Sequence, residues 1–179
     1  MTGNLNILTT EQPSLVTVQD NFLEKDYLNH IINTVWQGNF PWGFQRDVAR
    51  VGEHKEDGYE DHFYFVHRLY ENFIPESSFF DELRPVLEQL EVRALIRMRL
   101  LLFVNQGKQI IHDKHTDKPY EHKAALLYLN TNNGFTEFDD ESRVECVENR
   151  VVVFDGSKEH SSSTCTDKKE RILLSVNYF

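Results

Sequence analysis

The second half of the chain consists of short segments rich in β-branched and aromatic residues, separated by turn residues. Six of them follow residue 92: RALIRMRLLLFVN, KAALLYLN, FTEFDD, RVECVE, NRVVVFD and RILLSVNYF. Segments of this length and composition are typical of strands, and the Asn-Gly pair within NTNNG (residues 130–134) is a strong hairpin signal. Successive strands without helices between them favour antiparallel pairing, as in a sandwich, jelly roll or barrel.

The first half of the chain is predicted to contain two helices. In LVTVQDNFLEKDYLNHIINTVW, a short alternating run precedes apolar residues at three- and four-residue spacing, and we expect Asp20 or Asn21 to cap the helix. SSFFDELRPVLEQLEV predicts a second helix, with a serine cap and a break near Pro85. Together with the later strands, these helices predict the α+β class.

Length and composition are those of a single folded domain. With 179 residues, of which 40% are apolar, the chain can bury a substantial core, and we expect one domain with a helical and loop region at about 1–92 and a strand-rich core at about 93–179. Without a membrane-length apolar run or a signal-like N-terminus, the sequence predicts a cytoplasmic protein. The net charge of −10 disfavours binding to nucleic acid.

Residues 38–62 form the least regular part of the sequence, rich in glycine, charge and aromatic residues. We interpret them as a long loop, and loops of this length in a compact domain are often functional. Trp42 and Phe44 could belong to a lid over a site or serve as apolar anchors, and both readings stay open. FYFVHRLY, which follows, predicts a strand.

Histidine and acidic residues are concentrated in QIIHDKHTDKPYEHK, directly before a predicted buried strand. His115 and Asp117 are two residues apart, which places both side chains on one face of a strand. His-x-carboxylate is half of the facial triad that holds non-haem Fe(II). The motif alone has low specificity, because His54-Lys55-Glu56 repeats it in the charged loop. His112 and His122 have no acid two residues later, so we expect them in solvent or around the site, with substrate contact as the alternative.

Candidates for the second histidine ligand and for a co-substrate-binding cation follow Asp117 in the sequence. His160 comes after NRVVVFD and a DGS turn, 43 residues beyond Asp117. Two imidazoles and one carboxylate leave three positions of Fe(II) open, enough for a keto acid and dioxygen. The far carboxylate of such a co-substrate needs a buried cation, and Arg171 opens the last strand, where alternation places it on one face with Ser175 and Asn177.

His115, Asp117, His160 and Arg171, in this order and spacing, resemble the Fe(II)- and 2-oxoglutarate-dependent dioxygenases. The similarity covers roughly residues 93–179 and is greatest to the prolyl-4-hydroxylase-like branch and to small phage or marine bacterial oxygenases. It implies a double-stranded β-helix core (jelly-roll, cupin-like) with the N-terminal helices packed on one side.

The resemblance also implies cofactors and roles. Fe(II) would be held by His115, Asp117 and His160, which are also the catalytic residues. The co-substrate 2-oxoglutarate would be bound by Arg171, with Tyr128 and Ser175 as further contacts, and ascorbate would serve as an additional reductant. Oxidative decarboxylation to succinate and CO₂ would be coupled to hydroxylation of a C–H bond.

Two departures from the family pattern concern the co-substrate pocket. Relatives often have a tyrosine about ten residues before the first histidine of the motif, where this chain has Asn105. The R-x-S pattern of many members is R-x-L here, with Ser175 two positions further on. Arg97 and Arg99, on the first long strand, are expected to be structural, and a substrate or co-substrate role for one of them stays open.

Three function classes remain open from the sequence. The first is an oxygenase that hydroxylates a protein side chain, such as a prolyl ring, or a small molecule. The second is a nucleic-acid base oxygenase or dealkylase, which should carry a basic groove with stacking aromatics and is disfavoured by the charge. The third is a non-enzymatic β-sandwich binding or virion protein. We expect no membrane partner, and a host-cytoplasmic location if the chain comes from a phage; the oligomeric state stays open.

Overall fold

The computed structural model describes residues 16–48 and 61–179. Two sets of elements follow one another along these residues, first mixed helices and strands and then strands alone. The elements are β1 (Thr17–Gln19), α1 (Lys25–Val35), β2 (Gly43–Gln45), β3 (Tyr64–Glu71), β4 (Ile74–Pro75), α2 (Phe79–Glu82), α3 (Arg84–Gln89), β5 (Leu95–Val104), β6 (Lys123–Tyr128), β7 (Phe135–Phe138), β8 (Arg143–Glu145), β9 (Val151–Asp155), β10 (His160–Ser162) and β11 (Glu170–Tyr178).

The strands form two antiparallel sheets. The larger sheet has the order β1-β9-β6-β11-β5-β3-β2, with β4 paired to β3, and the smaller one has the order β10-β7-β8. Phe138 of the smaller sheet packs in one apolar cluster with Phe103, Tyr128 and Leu173 of the larger sheet. The predicted strands in the second half of the chain are therefore present, and they enclose a core between two sheets.

The predicted hairpin at Asn133-Gly134 is wrong. β6 pairs with β9 and β11, whereas β7 pairs with β8 and β10, so the chain crosses between the sheets at this point. Gly134 is needed for space, because a Cβ there would lie 2.7 Å from Cδ of Arg171 and 2.8 Å from Oδ1 of Asn132. Asn-Gly usually favours a tight turn, but in this structure its glycine allows the backbone to approach Arg171 closely.

The helices pack on the outer face of the larger sheet. Leu28, Ile31 and Val35 of α1 join Leu174 and Val176 of β11 in one buried cluster. Because side chains alternate along β11, Leu174 and Val176 face the helices. Arg171, Leu173, Ser175 and Asn177 lie on the opposite, inner face. The prediction of helices on one side of a strand-rich core agrees with this arrangement.

The predicted cap of the first helix is wrong. α1 begins at Lys25, and Asn21 instead takes a left-handed backbone conformation with φ 53°. The entry to the helix is fixed from a distance: Asn149 accepts a hydrogen bond from the Leu23 N–H and donates one to the Leu23 carbonyl, each at 2.8 Å. A long-range side chain thus replaces the local cap.

The second predicted helix is broken near Pro85, as expected. It is divided into α2 and α3 at Leu83, with the proline in the first turn of α3. Ser78 occupies the N-cap position of α2 without a side-chain cap bond. Ser77 takes that role, because its hydroxyl accepts a hydrogen bond from the Phe79 N–H at 3.1 Å.

Trp42 and Phe44 of the long irregular segment do not reach the inner face. Trp42 packs beside Phe40, with ring centroids 5.2 Å apart, against the cluster that joins the helices to the sheet. Phe44 is 60% exposed and lies next to Phe63 and Phe65. Trp42 is therefore an apolar anchor. Residues 49–60, including the motif at His54, lie outside the described residues. Among those described, no helix is both long and apolar enough to cross a membrane.

Candidate metal centre and adjoining cavity

Pairing of the loop that carries His115 and Asp117 with the start of β10 and the turn before it brings the three predicted ligands together. His115 and His160 exchange backbone hydrogen bonds of 2.9 and 3.0 Å, and the Asp117 N–H donates to the Gly156 carbonyl at 2.9 Å. One ligand atom of each of His115, Asp117 and His160 lies within 4.8 Å of the others. Residues 16–48 and 61–179 contain no second group of this kind.

Both histidines present the same ring nitrogen to the centre of this group. Nδ1 of His115 donates to the Asp113 carbonyl at 3.3 Å, and Nδ1 of His160 donates to the Lys158 carbonyl at 3.1 Å. A carbonyl oxygen only accepts, so the proton resides on Nδ1 and the lone pair of Nε2 is free for a metal. Burial, and then the neighbouring His160, lowers the pKa of His115, which keeps this imidazole neutral as coordination requires.

Asp117 is held by two side chains from neighbouring strands. Nη2 of Arg97 lies 2.5 Å from its Oδ1, and Nδ2 of Asn177 donates to its Oδ2 at 2.8 Å. Burial alone would raise the pKa of Asp117, but the Arg97 guanidinium, followed by His160, brings it to about 2. The carboxylate is therefore ionised at neutral pH, and its Oδ2 lies 3.9 Å from Nε2 of His160.

Arg171 is fully buried and forms no ion pair with any described acidic residue. It donates to the Ser163 carbonyl at 3.1 Å and to Oγ1 of Thr136 at 3.0 Å, while its Nε has no partner among the described residues. A buried guanidinium without a counter-ion is unfavourable. Its surroundings are therefore suited to a bound anion.

A cavity of about 60 Å³ connects the two groups. His115, Asp117, His160, Arg171 and Ser175 all contribute to its wall. The arrangement combines, in one cavity, a set of metal ligands with a cation that forms no ion pair with a described acid. Its donor set of two neutral imidazoles and one carboxylate fits Fe(II) with open coordination positions.

The remaining predicted residues lie around this cavity or away from it. Tyr128 is fully buried outside the wall, with its hydroxyl 2.8 Å from Oγ1 of Thr136 and its ring 5.4 Å from the Arg171 guanidinium. Asn105 stabilises the turn before β11, because its side-chain amide donates hydrogen bonds to the carbonyls of Thr166 and Lys168. It therefore does not replace the tyrosine that relatives have at that place.

His112 and His122 were expected in solvent or around the site, and both are buried, so the first of these two positions is wrong for both. Nδ1 of His112 lies 2.8 Å from the Ser162 hydroxyl, and Nε2 of His122 lies 3.4 Å from Nδ2 of Asn177. Neither lines the cavity. His122 therefore contacts the group that orients Asp117 rather than a substrate.

Several residues of the cavity wall were not singled out from the sequence. Tyr64 stacks on Phe103, with ring centroids 5.6 Å apart, and Thr136 bridges Arg171 and Tyr128. Arg99 also lines the wall, whereas the sequence predicts a structural role for it and leaves a substrate or co-substrate role open. Strand alternation gives the inner face of each strand, but the pairing of strands that groups these side chains is not visible in the sequence.

Comparison with solved structures identifies the fold. The chain is similar to a prolyl hydroxylase from Trichoplax adhaerens in complex with a hypoxia inducible factor oxygen degradation domain peptide (TM-score 0.62, 10% identity, 92% of this chain and 83% of that one). It is also similar to a Pseudomonas putida prolyl-4-hydroxylase (TM-score 0.55, 16% identity, 93% of this chain and 92% of that one). A third similar structure is a viral collagen prolyl hydroxylase from Paramecium Bursaria Chlorella virus-1 in its 2OG complex (TM-score 0.54, 12% identity, 92% of this chain and 96% of that one). The chain has the fold of 2-oxoglutarate- and Fe(II)-dependent oxygenases.

This oxygenase fold confirms the predicted jelly-roll core, the double-stranded β-helix. A scan against family models and a search of curated proteins found no match. At identities of 10–16%, the similarity establishes the architecture, and the roles of individual residues have to be argued from their own geometry.

Proposed function

We propose that the chain is an Fe(II)- and 2-oxoglutarate-dependent dioxygenase that hydroxylates a C–H bond. One observation supports this above all: His115, Asp117 and His160 converge on the same cavity as a buried arginine that forms no ion pair with any described acidic residue. A virion protein or β-sandwich with coincidental histidines does not account for this combination, because both the ligand cluster and the unpaired guanidinium reduce stability unless a ligand compensates them. The non-enzymatic alternative is therefore disfavoured.

The three ligand side chains would hold the metal through Nε2 of each histidine and the carboxylate of Asp117. When bound, Fe(II) supplies the redox chemistry that couples decarboxylation of 2-oxoglutarate to oxidation of the substrate. Arg97 and Asn177 orient the carboxylate before any metal arrives, and the Asp113 and Lys158 carbonyls orient the two imidazoles.

Arg171 would bind the far carboxylate of 2-oxoglutarate. Its guanidinium stays charged when buried and pairs with a carboxylate through two parallel hydrogen bonds. Thr136 fixes the position of this guanidinium, and Tyr128 fixes Thr136 in turn. Ser175 lies on the same face of β11 and lines the cavity, where it can contact the co-substrate.

The substrate class is proposed more broadly, as a protein side chain such as a prolyl ring or a small molecule. Hydroxylation of a nucleic-acid base is the second candidate within the same fold. The net charge of −10 disfavours it, because a phosphate backbone would meet an acidic surface.

The proposal is tested by succinate formation from 2-oxoglutarate in the presence of Fe(II), oxygen and ascorbate. We expect slow uncoupled turnover by the wild type, and its loss in His115→Ala, Asp117→Ala and His160→Ala. His30→Ala is the matched control, since His30 is exposed and pairs with Glu82 on the helical side. Anaerobic addition of Fe(II) and 2-oxoglutarate should also produce a weak visible charge-transfer band. Full turnover in any of the three ligand variants would contradict the assignment.

A further inference from the structure

A second arginine of the cavity wall has no anion either. Arg99 lies on the inner face of β5, where it pairs in register with Ser175 of β11 and Arg68 of β3. Its Nε is covered by protein and has no hydrogen-bond partner, and no carboxylate among the described residues forms an ion pair with it. Within the part of the chain that the structure describes, Arg99 therefore lacks a direct ion pair, and Asp117 and Glu71 act on its charge only from a distance.

The neighbouring arginines differ from Arg99 in this respect. Arg97, two residues earlier on the same face, is neutralised by Asp117 at 2.5 Å. Arg171 has the co-substrate carboxylate as its proposed anion. Burial, and then repulsion from Arg97, lowers the pKa of Arg99, and the smaller opposing effects of Asp117 and Glu71 do not cancel this shift. The side chain still carries its charge, because a guanidinium is not deprotonated in proteins.

The charges around the cavity leave an excess that the co-substrate does not remove. Asp117 contributes one negative charge, whereas Arg97, Arg99 and Arg171 contribute three positive charges. Fe²⁺ and the doubly negative 2-oxoglutarate cancel each other. One carboxylate of the co-substrate would be bound to the metal, and the other would be paired with Arg171.

Arg99 and Arg171 also occupy different levels of the barrel. Arg171 pairs with Phe103 and Ser175 pairs with Arg99, so the two levels are four residues, or about 13 Å, apart along the strands. Arg99 is instead one level, about 7 Å, from Arg97 and Asn177, which hold Asp117. The backbone of Arg99 is therefore at the level of the metal group rather than at the level of Arg171.

On the basis of the proposed function, we propose that Arg99 binds a carboxylate of the primary substrate, which is a small carboxylic acid such as a free amino acid. The planar fork of the guanidinium suits a carboxylate. An uncharged segment inside a peptide would leave Arg99 without a counter-ion.

The binding test uses propionate and propionamide, which differ in charge but hardly in shape. Each is titrated by calorimetry into the anaerobic protein saturated with Fe(II) and 2-oxoglutarate. We expect propionate to bind at least about tenfold more tightly than propionamide. Arg99→Gln should abolish this preference, whereas Arg84→Gln, which removes an exposed arginine on α3, should retain it. Circular dichroism checks that both variants are folded.

Three results would overturn the proposal. The first is equal or undetectable binding of the two probes, and the second is a preference that survives Arg99→Gln. The third is competition between propionate and 2-oxoglutarate, which would place the acid on Arg171.

A turnover assay distinguishes the substrate sources and separates this inference from the proposed function. Succinate formation is measured in three reactions, which contain L-proline, L-prolinamide or a peptide with an internal proline. Stimulation by the free acid alone supports the inference, and stimulation by the internal prolyl peptide but not by the acid contradicts it. Absence of succinate with retained, Arg99-dependent binding of propionate would refute the proposed function while supporting the carboxylate site.

Discussion

Arg97 and Asp117 form a buried ion pair at the edge of the candidate metal centre, with Nη2 and Oδ1 2.5 Å apart. Nε of the same guanidinium donates to Oδ1 of Asn177, whose amide donates to the other oxygen of Asp117. The three side chains thus close a ring that fixes the carboxylate from β5 and β11. The proposed acidic ligand is therefore positioned by the sheet rather than by the loop on which it lies.

Replacing Arg97 should destabilise the protein. Arg97→Gln leaves Asp117 as a buried charge without its partner, since the two side chains are only 11% and 9% exposed. We expect the free energy of unfolding, measured with urea in the absence of metal, to fall by about 3–5 kcal/mol. Arg84→Gln breaks an exposed pair with Asp81 and should change it by less than about 1 kcal/mol. Similar values for the two variants would contradict the structural role of Arg97.

Replacing Arg171 should act on the co-substrate. Arg171→Gln removes the charge that we propose to bind the far carboxylate, which should weaken 2-oxoglutarate binding by about 2–5 kcal/mol. Tyr128→Phe removes only the hydrogen bond to Thr136 and should have a smaller effect, about 0.5–1.5 kcal/mol. The Michaelis constant for 2-oxoglutarate in the succinate assay measures both. An unchanged constant in Arg171→Gln would mean that this side chain binds something else.

Gly134→Ala tests whether the crossover between the sheets positions Arg171. The added methyl would lie 2.7 Å from Cδ of Arg171, so the arginine or the backbone has to move. We expect a loss of about 1–3 kcal/mol in unfolding free energy together with weaker 2-oxoglutarate binding. Gly38→Ala is the matched control, because no atom lies within 4 Å of the added methyl. If Gly134→Ala behaves like this control in both measurements, the close approach is unimportant.

His112 should make stability depend on pH. Burial, followed by the nearby His62 and Arg171, lowers the pKa of His112 to about 3 from its ordinary value of 6.5. Between these values the unfolded chain binds a proton that the folded chain excludes, so stability is highest above pH 6.5 and declines towards pH 3. The contribution is at most about 1.4 kcal/mol per pH unit.

Urea unfolding of the wild type and of His112→Leu, at several pH values between 7 and 4, measures this contribution. We expect a shallower decline in the variant, because it has no imidazole to protonate. Parallel curves for the two proteins would show that His112 is not the source of the pH dependence. Groups that titrate in both proteins contribute equally to both curves, so the difference between the two unfolding free energies at each pH reports on His112.

Local signals in the sequence were reliable where adjacent residues carry them. The β-rich segments are strands, the break at Pro85 is present, and alternation on β11 places Arg171, Ser175 and Asn177 on the inner face. Local signals failed where a distant residue decides. Asn149 replaces the expected cap of α1, and contact with Arg171 explains Gly134 better than a hairpin does.

The sequence by itself determined the strand-rich core, the two-residue spacing of His115 and Asp117, and the face of β11 on which Arg171 lies, because each follows from the geometry of neighbouring residues. Only the tertiary structure placed His160 beside His115, paired Arg97 with Asp117 and placed Arg99 in the cavity wall with no described carboxylate in an ion pair with it. These contacts depend on which strands and loops pair across the sheets. Such pairing is set by the packing of the whole core, so residues far apart in sequence must be seen together before their chemistry can be inferred.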